Sequence, residues 1–257
     1  MKQVDKLRIH TYETRQVMGA AAAAMAGDRI RQLLQQQEQL NIVFAAAPSQ
    51  QEFLEALAAD KGIEWERINA FHMDEYIGLD AAAPQGFGNF LKDRLFAKVP
   101  FRSVHYLNGN AADPQAECER YAALLRQGVD MVMMGIGENT HIAFNDPHVA
   151  DFNDPQLVKV VDLDYACRQQ QVNDGCFETF AQVPTHALTL TVPALLKGRY
   201  LFCVVPGPNK AAAVKHTLFD SISEKYPSTA LRNHPEAVLF TDKDSAALSF
   251  DRLAQLS

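Results

Sequence analysis

The sequence predicts an α/β fold in which helices cover both faces of a mostly parallel central sheet. Three observations carry that prediction. Apolar stretches suited to strands alternate with stretches of helical apolar spacing along the whole chain. The run Met131–Met134 is apolar without alternation, as in a strand covered on both faces. It ends at Gly135 and Gly137, which allow a sharp turn or a close approach to a ligand, and a polar cluster of Glu138, Asn139, His141, Asn145 and Asp146 follows. Such a sequence of strand, glycine turn and polar cluster marks the carboxyl end of a parallel strand, where α/β proteins place their ligands. No linker rich in Pro, Gly and Ser interrupts residues 1–257 and no internal repeat is found, so a single domain is expected.

In chain order, residues 7–12 form the first predicted strand, with Leu7, Ile9 and Thr11 on one face. A long helix opens at Glu13 or Thr14 and carries Val17, Ala21, Met25, Ile30, Leu33 and Leu34 on its apolar side. Residues 41–45 are a buried strand that ends in the turn 46–50, and a helix with Phe53, Leu54, Leu57 and Ala58 follows. Residues 67–72 form a strand running into 73–76, then come a loop at 80–88, a helix over 90–96 and a strand at 103–107. Asp113 before Pro114 opens a helix holding Ala116, Cys118, Tyr121 and Leu124. Beyond the polar cluster, residues 157–161, 187–192 and 200–205 read as strands. The last feeds the turn 206–210 and a helix through Val214, before a strand at 236–240 and a closing helix over 245–253.

Composition narrows the function. The 257 residues are 47% hydrophobic and 21% charged, ordinary for a globular protein. A formal charge of -7, with Lys and Arg scattered, argues against nucleic acid or an anionic membrane as the main partner. The four cysteines are far apart and form no C-x-x-C pair, so neither a zinc site nor a disulfide framework is expected. With no apolar run long enough to span a bilayer, the expectation is a cytoplasmic protein acting on a small molecule, with a homo-oligomer left open.

Four strand ends carry small or polar turns: 45–50, 73–76, 135–146 and 206–210. In a parallel sheet these gather on one edge and can line one pocket. The turn holding Ala46, Ala47 and Ser49 lies between strand and helix, where N–H groups can cradle a phosphate, with Ser49 either a contact or an N-cap. Asp74 and Glu75 sit at an otherwise apolar strand end, as a solvated turn or as part of the site. His141 has Asn139 and Asp146 at hand to fix its tautomer. Arg168 and Lys210 are the cations that suit a phosphate. Sequence signatures of P-loops, dinucleotide folds, zincins and nucleophile elbows are lacking.

These residues resemble glucosamine-6-phosphate deaminase. The resemblance rests on Phe-His-Met-Asp-Glu-Tyr-Ile-Gly-Leu at 71–79, Leu-Asn-Gly-Asn at 107–110, the stretch from Gly135 to Pro147 and Val-Pro-Thr-His-Ala-Leu-Thr-Leu at 183–190, and it spans residues 42–248. The family belongs to a larger group with 6-phosphogluconolactonase and a modified Rossmann-like, three-layer fold. The resemblance implies an isomerising, ammonia-releasing hydrolase that acts on glucosamine 6-phosphate without metal or organic cofactor. In that reading Asp74 moves a proton between C2 and C1 of the open-chain sugar, and His141 opens the pyranose ring. Asp146 stands where the family has a glutamate partnering the histidine, and Ala46, Ala47, Ser49, Gly137, Arg168 and Lys210 bind substrate or phosphate. Enolisation needs a carboxylate within reach of a carbon acid, and ring opening needs a group that gives and takes a proton near neutrality.

The chain departs from the family pattern at three places. Asn139 replaces a carboxylate, Thr140 replaces a glycine, and Ala46-Ala-Pro-Ser49 replaces a Thr-Gly-x-Thr-Pro turn. Asp146 is then the anionic partner the motif offers His141. Alternative readings are a galactosamine-6-phosphate deaminase, a 6-phosphogluconolactonase-like hydrolase, suggested by Glu138, and a non-catalytic sugar-phosphate sensor.

Overall fold

The computed structural model describes residues 1–255. Its main sheet has eight strands in the order β1 (Lys2–Val4), β2 (Leu7–Tyr12), β11 (Ala237–Asp242), β10 (Tyr200–Val205), β7 (Met131–Met134), β3 (Leu40–Phe44), β4 (Ile68–His72) and β6 (Ser103–His105). Every pairing is parallel except that of β1 with β2. The sheet is therefore mostly parallel, as expected, and the unpredicted β1 caps one edge.

Side chains alternate between two cores across this sheet. Ile42, Phe44, Met131, Met133, Phe202 and Val204 join one apolar cluster with Phe53, Leu54 and Leu57 of α2 (Gln51–Ala59). Helix α1 (Arg15–Leu34), and α3 (Phe87–Leu91) with the π-helical turn after it, lie on the same side. Val43, Val132, Met134, Leu201, Cys203 and Val205 face the opposite cluster. There they meet α4 (Pro114–Leu125), α6 (Val192–Leu196), α7 (Ala211–Phe219) and Leu253 of α8 (Phe250–Ala254). Burial on both faces is why the central strands are apolar without alternation.

Four expectations are corrected. The strands expected at 157–161 and 187–192 do not enter the main sheet. As β8 (Val158–Asp162) and β9 (His186–Leu190) they pair antiparallel with β5 (Asp74–Tyr76) in a separate sheet ordered β5-β9-β8. The first half of the apolar face of α1 is turned by one residue: Val17 is 52% exposed, and Met18, Gly19, Ala22, Ala23 and Ala26 are buried, whereas Ile30, Leu33 and Leu34 are buried as expected. Small residues set that face, because a Cβ on Gly19 would come within 2.8 Å of the Glu52 Cβ on α2. Thr11 is exposed rather than sharing the buried face of Leu7 and Ile9. The closing helix starts only at Phe250, since Asp242 Oδ1 takes the Ser245 N–H at 2.7 Å and folds the preceding segment into turns.

The cysteines are all unpaired. Among the described residues no helix is long and apolar enough to cross a membrane.

Candidate active site

Strands β10, β7, β3 and β4 are consecutive neighbours and run parallel, so their carboxyl ends open onto one edge. A cleft lies there, lined by Ala46, Ala47, Ser49, Asp74, Gly137, His141 and Lys210 among others. Residues widely separated in the chain are thus brought together by the gathering of strand ends that the sequence suggests.

Two similar turns form one side of the cleft. After β3, Ala47 is extended and Pro48 opens a 3-10 turn leading into α2. Gln50 is buried beneath and donates to the Val204 carbonyl at 3.0 Å, tying this turn to β10. After β10, Gly207 has φ 93°, a conformation that favours glycine, and Pro208 opens the turn into α7. Asp242 at the end of β11 accepts the Gly207 N–H at 3.0 Å. The leading N–H groups of both helices lack intrahelical acceptors and point the positive end of each dipole outward. Lys210 is only 4% exposed. Burial lowers the pKa of its ammonium against the opposing pull of Asp174 and Glu138. A buried cation with no hydrogen-bond partner among the described residues calls for an anion.

His141 is set by a tight turn. The Thr140 N–H reaches the Gly137 carbonyl at 3.0 Å, and the Gly137 N–H reaches the His141 carbonyl at 2.9 Å. A Cβ at position 137 would overlap the imidazole, so only glycine allows the ring to lie there. Nδ1 faces Asn139 Oδ1 at 2.7 Å and Asp146 Oδ1 at 3.1 Å. Nε2 has no protein partner among the described residues, and the ring borders the cleft. Burial alone would raise the Asp146 pKa, but hydrogen bonds from His141, Asn139 and the Asp164 N–H outweigh it and hold the carboxyl below its usual range. Thr140 has φ 71°, a left-handed conformation that a glycine would adopt without strain.

Asp74 begins β5, where its register against Thr189 of β9 fixes the backbone directly beyond β4. Its Oδ1 is buried with no hydrogen-bond partner. Burial, assisted by the neighbouring Glu75 charge, pushes its pKa well above the usual carboxylate value. Glu75 points the other way and accepts the N–H groups of Tyr76, Phe87 and Gly88 at 2.9, 3.0 and 2.8 Å. That clamps the start of α3 onto β5 and places Phe87 in the cleft wall. Beneath Asp74, His72 is fully buried and its Nε2 accepts the Leu107 N–H at 2.8 Å. Burial lowers its pKa to about 4, so the ring is neutral at pH 7.

Asn139 and Asp146 stand behind His141 rather than in the cleft wall. Arg168 is the expected site residue that the fold places elsewhere. Its guanidinium donates to the carbonyls of Phe180 and Val183 at 3.1 and 2.8 Å and stacks 4.1 Å from the centre of the Phe180 ring. It braces the segment after α5 (Tyr165–Asn173) and does not line the cleft. Gln170 and Gln171, which the sequence does not point to, line the cleft, as does Gln50 at the end of the turn 45–50. Asp164, the N-cap of α5, supplies a second carboxylate close to Asn139. The local signal for this helix start is Asp164 itself, an N-cap residue type directly before Tyr165–Asn173. Donor atoms of His141, Asp146 and Cys167 lie within 4.8 Å of one another. Burial and the nearby carboxylates push the Cys167 thiol up and keep it protonated, which makes it a poor metal ligand.

Residues 13–240 match the family model described as glucosamine-6-phosphate isomerases/6-phosphogluconolactonase. The glucosamine-6-phosphate deaminase of Exiguobacterium sp. is 38% identical over 186 residues, covering 72% of this chain and 71% of that protein. The corresponding enzyme of Bacillus cereus (strain B4264) is 34% identical over 193 residues, 75% of this chain and 72% of that one. A solved monomeric glucosamine-6-phosphate deaminase superposes with a TM-score of 0.85 at 27% identity, over 94% of this chain and 99% of the other. A 6-phosphogluconolactonase from Thermotoga maritima shares the fold with a TM-score of 0.75 at 22% identity, over 93% and 100%.

Proposed function

The chain belongs to the family of glucosamine-6-phosphate isomerases and 6-phosphogluconolactonases, and we propose that it converts glucosamine 6-phosphate to fructose 6-phosphate and ammonia. The observation that carries the reading is the cleft itself. A buried carboxyl without a partner, Asp74, and a histidine with a free Nε2, His141, share it with a buried unpaired ammonium, Lys210.

In this reading the 6-phosphate sits against Lys210 and the turn of Ala46, Ala47 and Ser49, where an ammonium and helix N-termini meet an anion. His141 moves a proton between O1 and the ring oxygen through Nε2, while Asn139 and Asp146 hold the opposite side of the ring. Asp74 then takes the C2 proton of the open-chain amino aldose and returns it at C1. The enolamine so formed becomes the C2 imine. Water adds to that imine and ammonia leaves, which is the sense in which the isomerisation is also a hydrolysis. Each positioned proton transfer contributes about 10²–10⁴-fold. A carboxylate freed of water by burial is a stronger base than one in solution, consistent with the raised Asp74 pKa.

The reading is tested by incubating the protein with glucosamine 6-phosphate, galactosamine 6-phosphate and 6-phosphogluconolactone, and measuring ammonia and acid release separately. Ammonia from glucosamine 6-phosphate above the other two supports it. Acid release from the lactone alone would replace it with a lactonase.

A further inference from the structure

The side chain of Asn139 makes contacts that a carboxylate could not make. Its Oδ1 accepts from His141 Nδ1 at 2.7 Å and from the His141 N–H at 3.2 Å. Its Nδ2 donates to Asp146 Oδ1 at 3.0 Å and to Asp164 Oδ2 at 3.1 Å. Asp146 is also tied to the backbone at position 164, since its Oδ2 accepts the Asp164 N–H at 3.2 Å. Asp164 is itself fixed, its Oδ1 capping α5 through the Cys167 N–H at 2.6 Å. The titratable groups facing the cluster are His141 from its own turn, Asp146 and His148 from the segment that follows, and Asp164 and Cys167 at the start of α5.

We infer that Asn139 and Asp164 are a matched pair that orients His141, with Asp164 a positioning residue acting through the Asn139 amide. The amide presents its acceptor to the imidazole and its donors to both carboxylates, so every contact joins a donor to an acceptor. Asp164, together with Asp146, sets which way round the amide lies, because only the NH2 end can face a carboxylate. That fixes Oδ1 toward Nδ1, keeps the proton there and leaves Nε2 free on the cleft side. A carboxylate at position 139 would instead put acceptor against acceptor at two places about 3 Å apart, and one of the three carboxyls would have to keep a proton. The catalytic part of this inference rests on His141 serving the deaminase reaction; the pairing itself does not.

A double-mutant cycle tests it on the full chain, with N139D, D164N and N139D/D164N compared with wild type. Asn remains a good N-cap, so D164N leaves the start of α5 supported. In the double variant the alternation is restored at position 164, where the new carboxylate accepts from the amide as well as from His141, while the acceptor pair with Asp146 remains. Two readouts are taken: the pH profile of kcat on glucosamine 6-phosphate, and the thermal midpoint at about pH 5 and about pH 8.

N139D is expected to lose about tenfold or more in kcat, and the double variant to recover at least about threefold of that loss, the remainder being set by the contact with Asp146, as for side chains in one network. The midpoint of N139D should fall further at the higher pH, because a carboxyl whose folded pKa is raised loses its stabilising contribution as pH rises. D164N should rescue part of that loss too. Additive effects, with the double variant as poor as the product of the singles, would overturn the pairing. If the wild type releases no ammonia, the deaminase reading fails, and the melting cycle still decides the pairing.

Discussion

Gly137 lies directly beneath the imidazole of His141, so close that a single added methyl group would overlap the ring. The glycine, singled out in the sequence as a place where backbone nears a ligand, makes room for the histidine as well as bordering the cleft. Gly137→Ala is therefore expected to lower kcat by about 100-fold through misplacement of His141, with KM changed little. Steady-state kinetics on glucosamine 6-phosphate check this. A rise in KM with kcat intact would mean that Gly137 touches the substrate instead.

The two cations expected to bind phosphate should separate cleanly. Lys210→Met removes an unpaired buried charge from the cleft and should raise KM for the 6-phosphate by about 10- to 100-fold, the value of a charge-assisted hydrogen bond. Arg168→Ala should leave KM within about twofold, yet lower stability by about 1–3 kcal/mol through the lost bonds to Phe180 and Val183. Kinetics and denaturant unfolding on both variants decide it. Equal rises in KM would put the guanidinium back in the site.

His72 should make the protein sensitive to mild acid. Its pKa falls from 6.5 to about 4 on folding because burial disfavours the charged ring. The unfolded chain then binds more protons than the folded one between those values, so this stability is present above pH 6.5 and lost as pH falls toward 4. His72→Gln is expected to be less stable at neutral pH, and to lose less than wild type between about pH 7 and about pH 5. Urea unfolding at the two pH values provides the comparison, and identical losses in both proteins would contradict it.

Glu75 contributes to the raised pKa of Asp74 after burial itself, while three backbone N–H groups hold it in place. As a base Asp74 must be ionised, so activity should rise with pH through a limb lying above the usual carboxylate range. Removing the neighbouring charge in Glu75→Gln should move that limb to lower pH by less than about one unit. A kcat/KM profile for both proteins reads this directly. A limb that stays in place would show that Glu75 does not govern the base.

Much of this architecture was legible because the relevant signals are local. The unalternated run Met131–Met134 marked a strand buried on both faces, and the turns after four strands marked the edge where the cleft lies. What was not legible depends on partners distant in the chain. Val158–Asp162 and His186–Leu190 read as strands, but nothing local tells a strand which sheet it will join. Helix α5 is not legible in the sequence because Tyr165–Asn173 carries three consecutive glutamines and little apolar periodicity, and the roles of Gln170, Gln171 and the capping Asp164 depend on that helix. The side to which Arg168 points follows from that same helix, which turns its guanidinium to the Val183 carbonyl. In α1 the alanines and glycines that pack against α2 carry less hydrophobic signal than the exposed Val17.

In the proposed reaction Asp74 carries the C2 proton of an amino-sugar 6-phosphate. This role is tested most directly by following exchange of that proton with deuterated solvent by NMR, in wild type and in Asp74→Asn, with binding measured alongside. Wild type should exchange the C2 proton of glucosamine 6-phosphate as it releases ammonia. Asp74→Asn should bind the sugar phosphate and exchange nothing, with a loss of about 10²-fold or more. Exchange at C2 that persists in Asp74→Asn would contradict the account and assign the base to another residue.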